Sequence, residues 1–69
     1  MEKLQISLAA ARVNAKLTQE DVAKQLHVSN NTVTNWEKGY TTPSISQARE
    51  LSELYQMPLE FIFLPDKSN

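Results

Sequence analysis

The chain has 69 residues, a formal net charge of −1 and no cysteine. This length allows one domain with a small core, and the lack of cysteine excludes a disulfide framework or a thiolate metal site. A single histidine, His27, is too few for a zinc site. No apolar run approaches the roughly 18 residues that a membrane span needs. The first residues lack the layout of a signal peptide. We therefore expect one soluble, cytoplasmic domain spanning 1–69.

The net charge, read alone, argues against a nucleic-acid partner, because a strongly basic domain is the usual electrostatic sign of one. The distribution of charge weakens that objection. Cations gather in the first forty residues, at Lys3, Arg12, Lys16, Lys24 and Lys38. Acidic residues gather in the last third, at Glu50, Glu53, Glu60 and Asp66. One part of the chain is thus mildly basic and another acidic, so charge alone does not exclude DNA.

Apolar residues recur at helical spacing near the start of the chain, and this pattern predicts a first, alanine-rich helix over Ile6 to Ala15. Arg12 falls beside its small-residue face. The second helix is predicted to start at Thr18, whose hydroxyl can cap it while Asp21 completes a capping box. Its inward positions are Val22, Ala23 and Leu26.

Residues 27–29 form the predicted turn between the second and third helices. His27 follows directly after the second helix, where a residue in the left-handed conformation is expected. Histidine adopts that conformation more readily than most residues, which explains His27 without any ligand. A phosphate contact by its ring is the alternative. Val28 is expected in the core.

Ser29 is predicted to cap a third helix over residues 30–38, in which Val33 and Trp36 face inward. The outward positions carry short amides and hydroxyls, at Asn30, Asn31, Thr34 and Asn35. Asparagine and threonine form helices poorly, and a helix that needed only solubility would use Glu, Lys and Gln. We therefore predict that this face contacts the edges of DNA bases. An ordinary solvated face is the alternative.

The remaining residues predict two more helices. Gly39 stands where a left-handed helix end belongs, and the loop 39–43 leads to Ser44, the predicted cap of a fourth helix. Gln56 is expected in the next left-handed position, and Pro58 opens a short fifth helix over 59–63. The predicted buried stripe of the fourth helix is Ile45, Ala48, Leu51, Leu54 and Tyr55.

The chain resembles the phage repressor and Cro (XRE-like) helix-turn-helix family from about Leu8 to Phe63. The matching residues are Thr18-Gln19, Ala23, Val28-Ser29, Val33, Trp36-Glu37-Lys38-Gly39 and Pro43. The resemblance implies an all-α, five-helix, lambda-repressor-like domain. Its helix-turn-helix covers about 18–38, and the third helix lies in the major groove of DNA.

The resemblance also implies roles for individual residues. The base-contacting residues would be Asn30, Asn31, Thr34 and Asn35. The phosphate-contacting residues would be Gln19, Ser29, Thr32, Lys38, Thr41 and Thr42. Arg12 and Glu37 match a charged pair that this family buries between the first and third helices, which we interpret as structural. Because relatives often carry Gln, Arg or Ser at the base-reading positions, their base preference does not transfer to these asparagines.

These features lead us to expect a sequence-specific, double-stranded DNA-binding transcriptional regulator. We expect a dimeric repressor of a bacterial or prophage circuit that binds a pseudo-palindromic operator. The expected dimer surface lies in segment 58–65, at Phe61, Phe63 and Leu64. We expect no enzyme, cofactor, metal or small-molecule ligand. The alternative is a protein-binding module of the same fold, an antitoxin or anti-repressor. The net negative charge and the apolar C-terminal segment favour it.

Overall fold

The computed structural model describes residues 5–63, and the side chains of residues 5–62. Within that range the chain forms four α-helices, one 3-10 turn and two short strands. No helix among these residues is long and apolar enough to cross a membrane. In chain order the elements are β1 (Ile6–Ser7), α1 (Leu8–Asn14), α2 (Gln19–Leu26), α3 (Asn30–Lys38), α4 (Ile45–Leu54), the 3-10 turn (Leu59–Phe61) and β2 (Ile62–Phe63).

Three predicted N-terminal caps are confirmed. The Thr18 hydroxyl accepts a hydrogen bond from the Asp21 backbone N–H, and the Asp21 carboxylate accepts one from the Thr18 N–H. These bonds lower the pKa of Asp21 below its usual value. Ser29 caps α3 through the backbone N–H of Thr32. Ser44 caps α4 in a second capping box, in which Gln47 supplies the returning oxygen. Each cap satisfies donors that the first turn of a helix leaves unpaired.

Left-handed residues end several of the helical segments. His27 has φ 58°, Gly39 has φ 81° and Gln56 has φ 53°, so all three predicted positions are confirmed. Lys16, with φ 63°, is a fourth such residue that the sequence analysis did not identify. Only Gly39 lacks the Cβ that makes this conformation unfavourable, so the other three store some backbone strain.

The core is built from one apolar side of each helix. The predicted inward positions of α2 and α3 are buried, and α4 adds Ala48 and Leu51, with Tyr55 directly after it. Ile45 was predicted in the same stripe, but this was wrong, because the residue is 73% exposed. It is the first residue of α4 and lies one turn before Ala48, the first buried residue of that helix. The largest buried cluster consists of Leu8, Ala11, Val22, Ala23, Leu26, Val33, Trp36, Leu51, Tyr55 and Ile62.

The five-helix count is wrong, because residues 59–63 form a 3-10 turn and a strand instead of a fifth helix. In β2, Ile62 pairs with Ile6 in a parallel ladder, and Ile62 is buried. The same pairing keeps Ile6 extended, so α1 begins at Leu8, after the cap Ser7, and not at Ile6. The backbone groups of both segments thus bond to each other instead of within helices.

Candidate nucleic-acid interface

A tight turn joins α2 to α3 and fixes the angle between them. The left-handed His27 reverses the chain, and the Val28 N–H donates to the Ala23 carbonyl oxygen at 3.0 Å. Val28 packs against the core, and Ser29 then caps α3. The N-terminus of α3 is therefore held by backbone bonds and by the partly buried Val28 side chain.

The outer face of α3 carries the four side chains predicted to contact bases. Asn30 and Asn31 are exposed at the start of the helix, while Thr34 and Asn35 are half-buried one turn further on. Among residues 5–62, the side-chain amides of Asn30 and Asn31 have no hydrogen-bond partner. Two free amides at the exposed start of a helix are available to donate to and accept from a ligand.

Arg12 of α1 and Glu37 of α3 form an ion pair behind that face. Arg12 Nε lies 2.7 Å from Glu37 Oε2, and the two side chains are only 16% and 8% exposed. A second guanidinium nitrogen of Arg12 donates to the Leu17 carbonyl oxygen at 3.0 Å. The hydrogen bond with Glu37 raises the pKa of Arg12, against the opposing effect of burial. The pair ties α3 to α1 at the end of the helix remote from Asn30.

Gln19 extends this ion pair into a network. Its Nε2 donates to Glu37 Oε1 at 2.9 Å, and its Oε1 accepts from the Thr34 hydroxyl at 2.9 Å. Thr34 Oγ1 also lies 3.2 Å from the Asn30 carbonyl oxygen. Both ends of the Gln19 side chain are thus bonded to α3. The family resemblance predicts a phosphate contact for this residue, and no local sequence pattern links it to Thr34 and Glu37, which lie far from it in the chain.

The residues predicted to contact phosphate lie near both ends of α3. Ser29 and Thr32 form a hydroxyl pair at its N-terminus, with 2.9 Å between their oxygens. At the other end, Lys38 Nζ lies 5.9 Å from the centre of the Tyr40 ring. The exposed residues Thr41 and Thr42 follow in the loop.

The loop after α3 is folded back onto the helix. The backbone N–H groups of Tyr40 and Thr41 donate to the Asn35 carbonyl oxygen, and the N–H of Gly39 donates to the Trp36 carbonyl oxygen at 3.2 Å. The Thr41 N–H is therefore used within the protein, at 3.4 Å, which leaves the hydroxyl of Thr41 for the predicted phosphate contact. Thr41 and Thr42 thus carry hydroxyls on an exposed loop close to the end of α3.

The predicted dimer residues are only partly described. Phe61 lies in the 3-10 turn and is 40% exposed. The side chain of Phe63 and all of Leu64 lie outside the described residues. The neighbouring Ile62 belongs to the core. Phe61 is therefore the residue of the three that the structure shows at the surface.

The amino-acid sequence of this chain is similar to those of known proteins. The helix-turn-helix family model matches residues 8–62. The HTH-type transcriptional regulator ImmR of Bacillus subtilis (strain 168) is 32% identical over 60 residues, which are 87% of this chain and 47% of ImmR. An uncharacterized HTH-type transcriptional regulator of Methanocaldococcus jannaschii is 42% identical over 48 residues, 70% of this chain and 73% of that protein.

A third relative, an uncharacterized HTH-type transcriptional regulator of Archaeoglobus fulgidus, is 32% identical over 56 residues, 81% of this chain and 79% of its own length. The chain spans about half the length of ImmR and about three quarters of the two archaeal relatives. No solved structure matches it with comparable significance. Since the family match covers α1 to β2, the chain belongs to the Cro/C1-type (XRE-like) helix-turn-helix family of DNA-binding regulators.

Proposed function

We propose that this chain is a DNA-binding transcriptional regulator that acts as a dimeric repressor and reads a pseudo-palindromic operator with α3. The observation that carries the proposal is the pair of exposed, unpartnered amides of Asn30 and Asn31 at the start of that helix. In helix-turn-helix proteins, the N-terminal residues of the second helix of the motif contact base edges in the major groove.

The chemistry of these side chains fits adenine. An asparagine amide can donate to N7 and accept from the N6 amino group in one bidentate pair, worth about 1–3 kcal/mol of discrimination. Asn30 and Asn31 occupy the first turn of α3, and Asn35 lies one turn later with Thr34. These four residues are the base-contacting set of the proposal.

Phosphate contacts would set the register of α3 on the DNA. Ser29, Thr32, Thr41 and Thr42 offer hydroxyls, and Lys38 offers a charge. Because the side chain of Gln19 is bonded to α3, its contribution to phosphate binding would come from its backbone N–H at the start of α2. With so few cations, we expect a shallow salt dependence, equivalent to about three or four charge-linked contacts per subunit.

One recognition helix reads too few base pairs for selectivity, so we propose a symmetric dimer. Its half-sites would lie about one turn of DNA, roughly 34 Å, apart. The exposed ring of Phe61, with Phe63 and Leu64 beyond it, is the proposed dimer surface. A bacterial or prophage control circuit in the cytoplasm is the proposed setting.

The second candidate is a protein-binding module of the same fold, an antitoxin or anti-repressor that acts through a partner protein. The net charge of −1 and the exposed Phe61 favour it. A monomer whose Phe61 surface binds another protein would support this function, whereas a two-fold dimer with both α3 helices on one face would argue against it.

The test is an in vitro selection from random double-stranded DNA with the wild type, the Asn30→Ala/Asn31→Ala variant and the Asn14→Ala variant. Asn14 is an exposed asparagine of α1 and serves as the matched control. We expect an enriched palindrome with the wild type and with Asn14→Ala, but a relaxed one with the double variant. No enrichment at modest salt would favour the protein-binding function. A palindrome unchanged in the double variant would assign base reading to other residues.

A further inference from the structure

The hydroxyl of Thr34 is surrounded by acceptors inside the protein. Its Oγ1 lies 2.9 Å from Gln19 Oε1 and 3.2 Å from the Asn30 carbonyl oxygen. The orientation of the Gln19 amide follows from its other end, where a nitrogen must face the carboxylate of Glu37, which accepts at 2.9 Å. The amide oxygen therefore faces Thr34, and the threonine hydroxyl must be the donor.

A hydroxyl has one proton, so Thr34 cannot give it both to the protein and to DNA. With the proton directed at Gln19 or Asn30, the group has no donor left for the N7 and O6 acceptors of guanine. Two electron-rich oxygens within 3.2 Å also crowd the hydroxyl oxygen. The γ-methyl is then the group that Thr34 offers to a base, and its natural contact in the major groove is the thymine C5-methyl.

We propose that Gln19 is a positioning residue that fixes the base preference of α3 by occupying the Thr34 hydroxyl, so that Thr34 reads a thymine methyl by apolar contact. This inference rests on the proposed DNA-reading function of α3. It assigns to the Gln19 side chain a role different from a phosphate contact, because both polar atoms of its amide are bonded within the protein.

Two substitutions of Thr34 separate its methyl from its hydroxyl. Thr34→Val keeps a methyl and removes the hydroxyl, whereas Thr34→Ser keeps the hydroxyl and removes the methyl. In the same DNA selection, we expect Thr34→Val to retain the wild-type thymine preference at one position of each half-site. Thr34→Ser should lose it, with a drop in discrimination of about 4-fold at that position, the value expected for one buried methyl group. The opposite pattern, or two variants that both select the wild-type operator, would overturn the proposal.

Gln19→Met tests the positioning role, since methionine has similar length but offers no amide. Binding is measured by fluorescence anisotropy on the selected operator, on the operator with guanine·cytosine at the Thr34 position, and on a scrambled duplex. We expect weaker discrimination between the first two duplexes. Affinity and salt slope on the scrambled duplex should stay unchanged, because the substitution keeps the backbone N–H of residue 19. If the Gln19 side chain contacted phosphate, the substitution would instead weaken binding to all three duplexes equally, and that result would overturn the proposal.

The outcomes separate this inference from the proposed function. If the wild type enriches no sequence, the DNA-reading function itself fails. If the wild type enriches an operator but the Thr34 variants show the opposite pattern, only the inference fails. Should Gln19→Met unfold because Glu37 loses a donor, the two Thr34 variants still test the thymine-methyl contact that the proposal requires, since neither removes a hydrogen bond to Glu37.

Discussion

Arg12 Nε on α1 donates to Glu37 Oε2 on α3 across 2.7 Å, although 25 positions separate the two residues. Glu37 also accepts from Gln19 on α2, so its carboxylate is a point where three helices meet. A base-reading helix must keep its angle to the rest of the domain. We interpret this junction as the part of the structure that holds α3 in place.

Removing one partner of the ion pair is expected to destabilise the domain. Arg12→Ala leaves a mostly buried carboxylate without its cation, which costs about 3–5 kcal/mol. Urea unfolding followed by circular dichroism measures the change. The double variant Arg12→Met/Glu37→Leu should recover much of the stability, because it removes both charges. If the double variant were no more stable than Arg12→Ala, lost packing would explain the effect better than the unpaired charge.

The two left-handed positions that flank α3 predict opposite effects of substitution. His27→Gly relieves the steric cost of φ 58° in a residue with a Cβ, and should stabilise the domain by about 0.5–1 kcal/mol. Gly39→Ala creates that cost at φ 81°, and should destabilise it by about 1 kcal/mol. Thermal unfolding of both variants checks the prediction. A lower melting temperature for His27→Gly would show that the imidazole makes a stabilising contact.

The raised pKa of Tyr55 predicts a loss of stability at alkaline pH. Burial, with a contribution from the negative charge of Glu37 and against the opposing charge of Arg12, raises the pKa of Tyr55 to about 12. An unfolded tyrosine ionises near pH 10. The contribution of Tyr55 to the free energy of unfolding is therefore constant below pH 10. Between pH 10 and 12 this contribution falls by roughly 2–3 kcal/mol.

The measurement for Tyr55 is the free energy of unfolding as a function of pH for the wild type, Tyr55→Phe and Tyr40→Phe. Tyr55→Phe should show a shallower fall between pH 10 and 12. Tyr40→Phe changes an exposed tyrosine and should follow the wild type. Parallel curves for the wild type and Tyr55→Phe would contradict the raised pKa.

The negative charge of Glu20 is expected to lower the affinity for DNA. It is exposed in the first turn of α2, where the helix end would otherwise attract phosphate. Glu20→Lys should strengthen binding to every duplex and steepen the plot of log affinity against log salt by about 0.9 per new phosphate contact. Glu53→Lys on α4 makes the same change in net charge. Equal slopes for the two variants would mean that the start of α2 does not face the DNA.

The exposed ring of Phe61 leads to a prediction about the oligomeric state. Phe61→Glu puts a charge on the proposed dimer surface and should shift the protein towards monomer in sedimentation velocity. Ile45→Glu makes the same change at a more exposed apolar residue on α4, and should leave the mass unchanged. A dimer that persists in Phe61→Glu but dissociates in Ile45→Glu would move the interface to α4.

Features set by neighbouring residues were predictable from the sequence. Thr18, Ser29 and Ser44 were assigned as caps because a cap depends on bonds within four residues. His27 and Gly39 were assigned as left-handed because the helix ends next to them. The predicted fifth helix was wrong, since residues 62–63 are extended by pairing with Ile6, far away in the chain.

In the candidate interface, too, features set by neighbouring residues were predictable, whereas features set by distant residues were not. The outward position of the asparagines followed from helical periodicity, and the Arg12–Glu37 contact was anticipated from family resemblance. The bonds of Gln19 to Thr34 and Glu37 depend on the angle at which α2 crosses α3. No local rule specifies that angle, so only the structure shows that the Gln19 amide is hydrogen-bonded to Thr34 and Glu37.

The parallel pairing of Ile6 with Ile62 affects the order in which the molecule can fold. Contacts between α2 and α3 join residues that are close in the chain, so the loops they close are short. Short loops lose little conformational entropy on closing, and such contacts form fast. The strand pair closes a loop of almost the entire described chain, so it is expected to form late and to open first. We expect the helix-turn-helix to persist while the strands separate, so the strand amides should exchange their hydrogens with solvent sooner than those of α2 and α3.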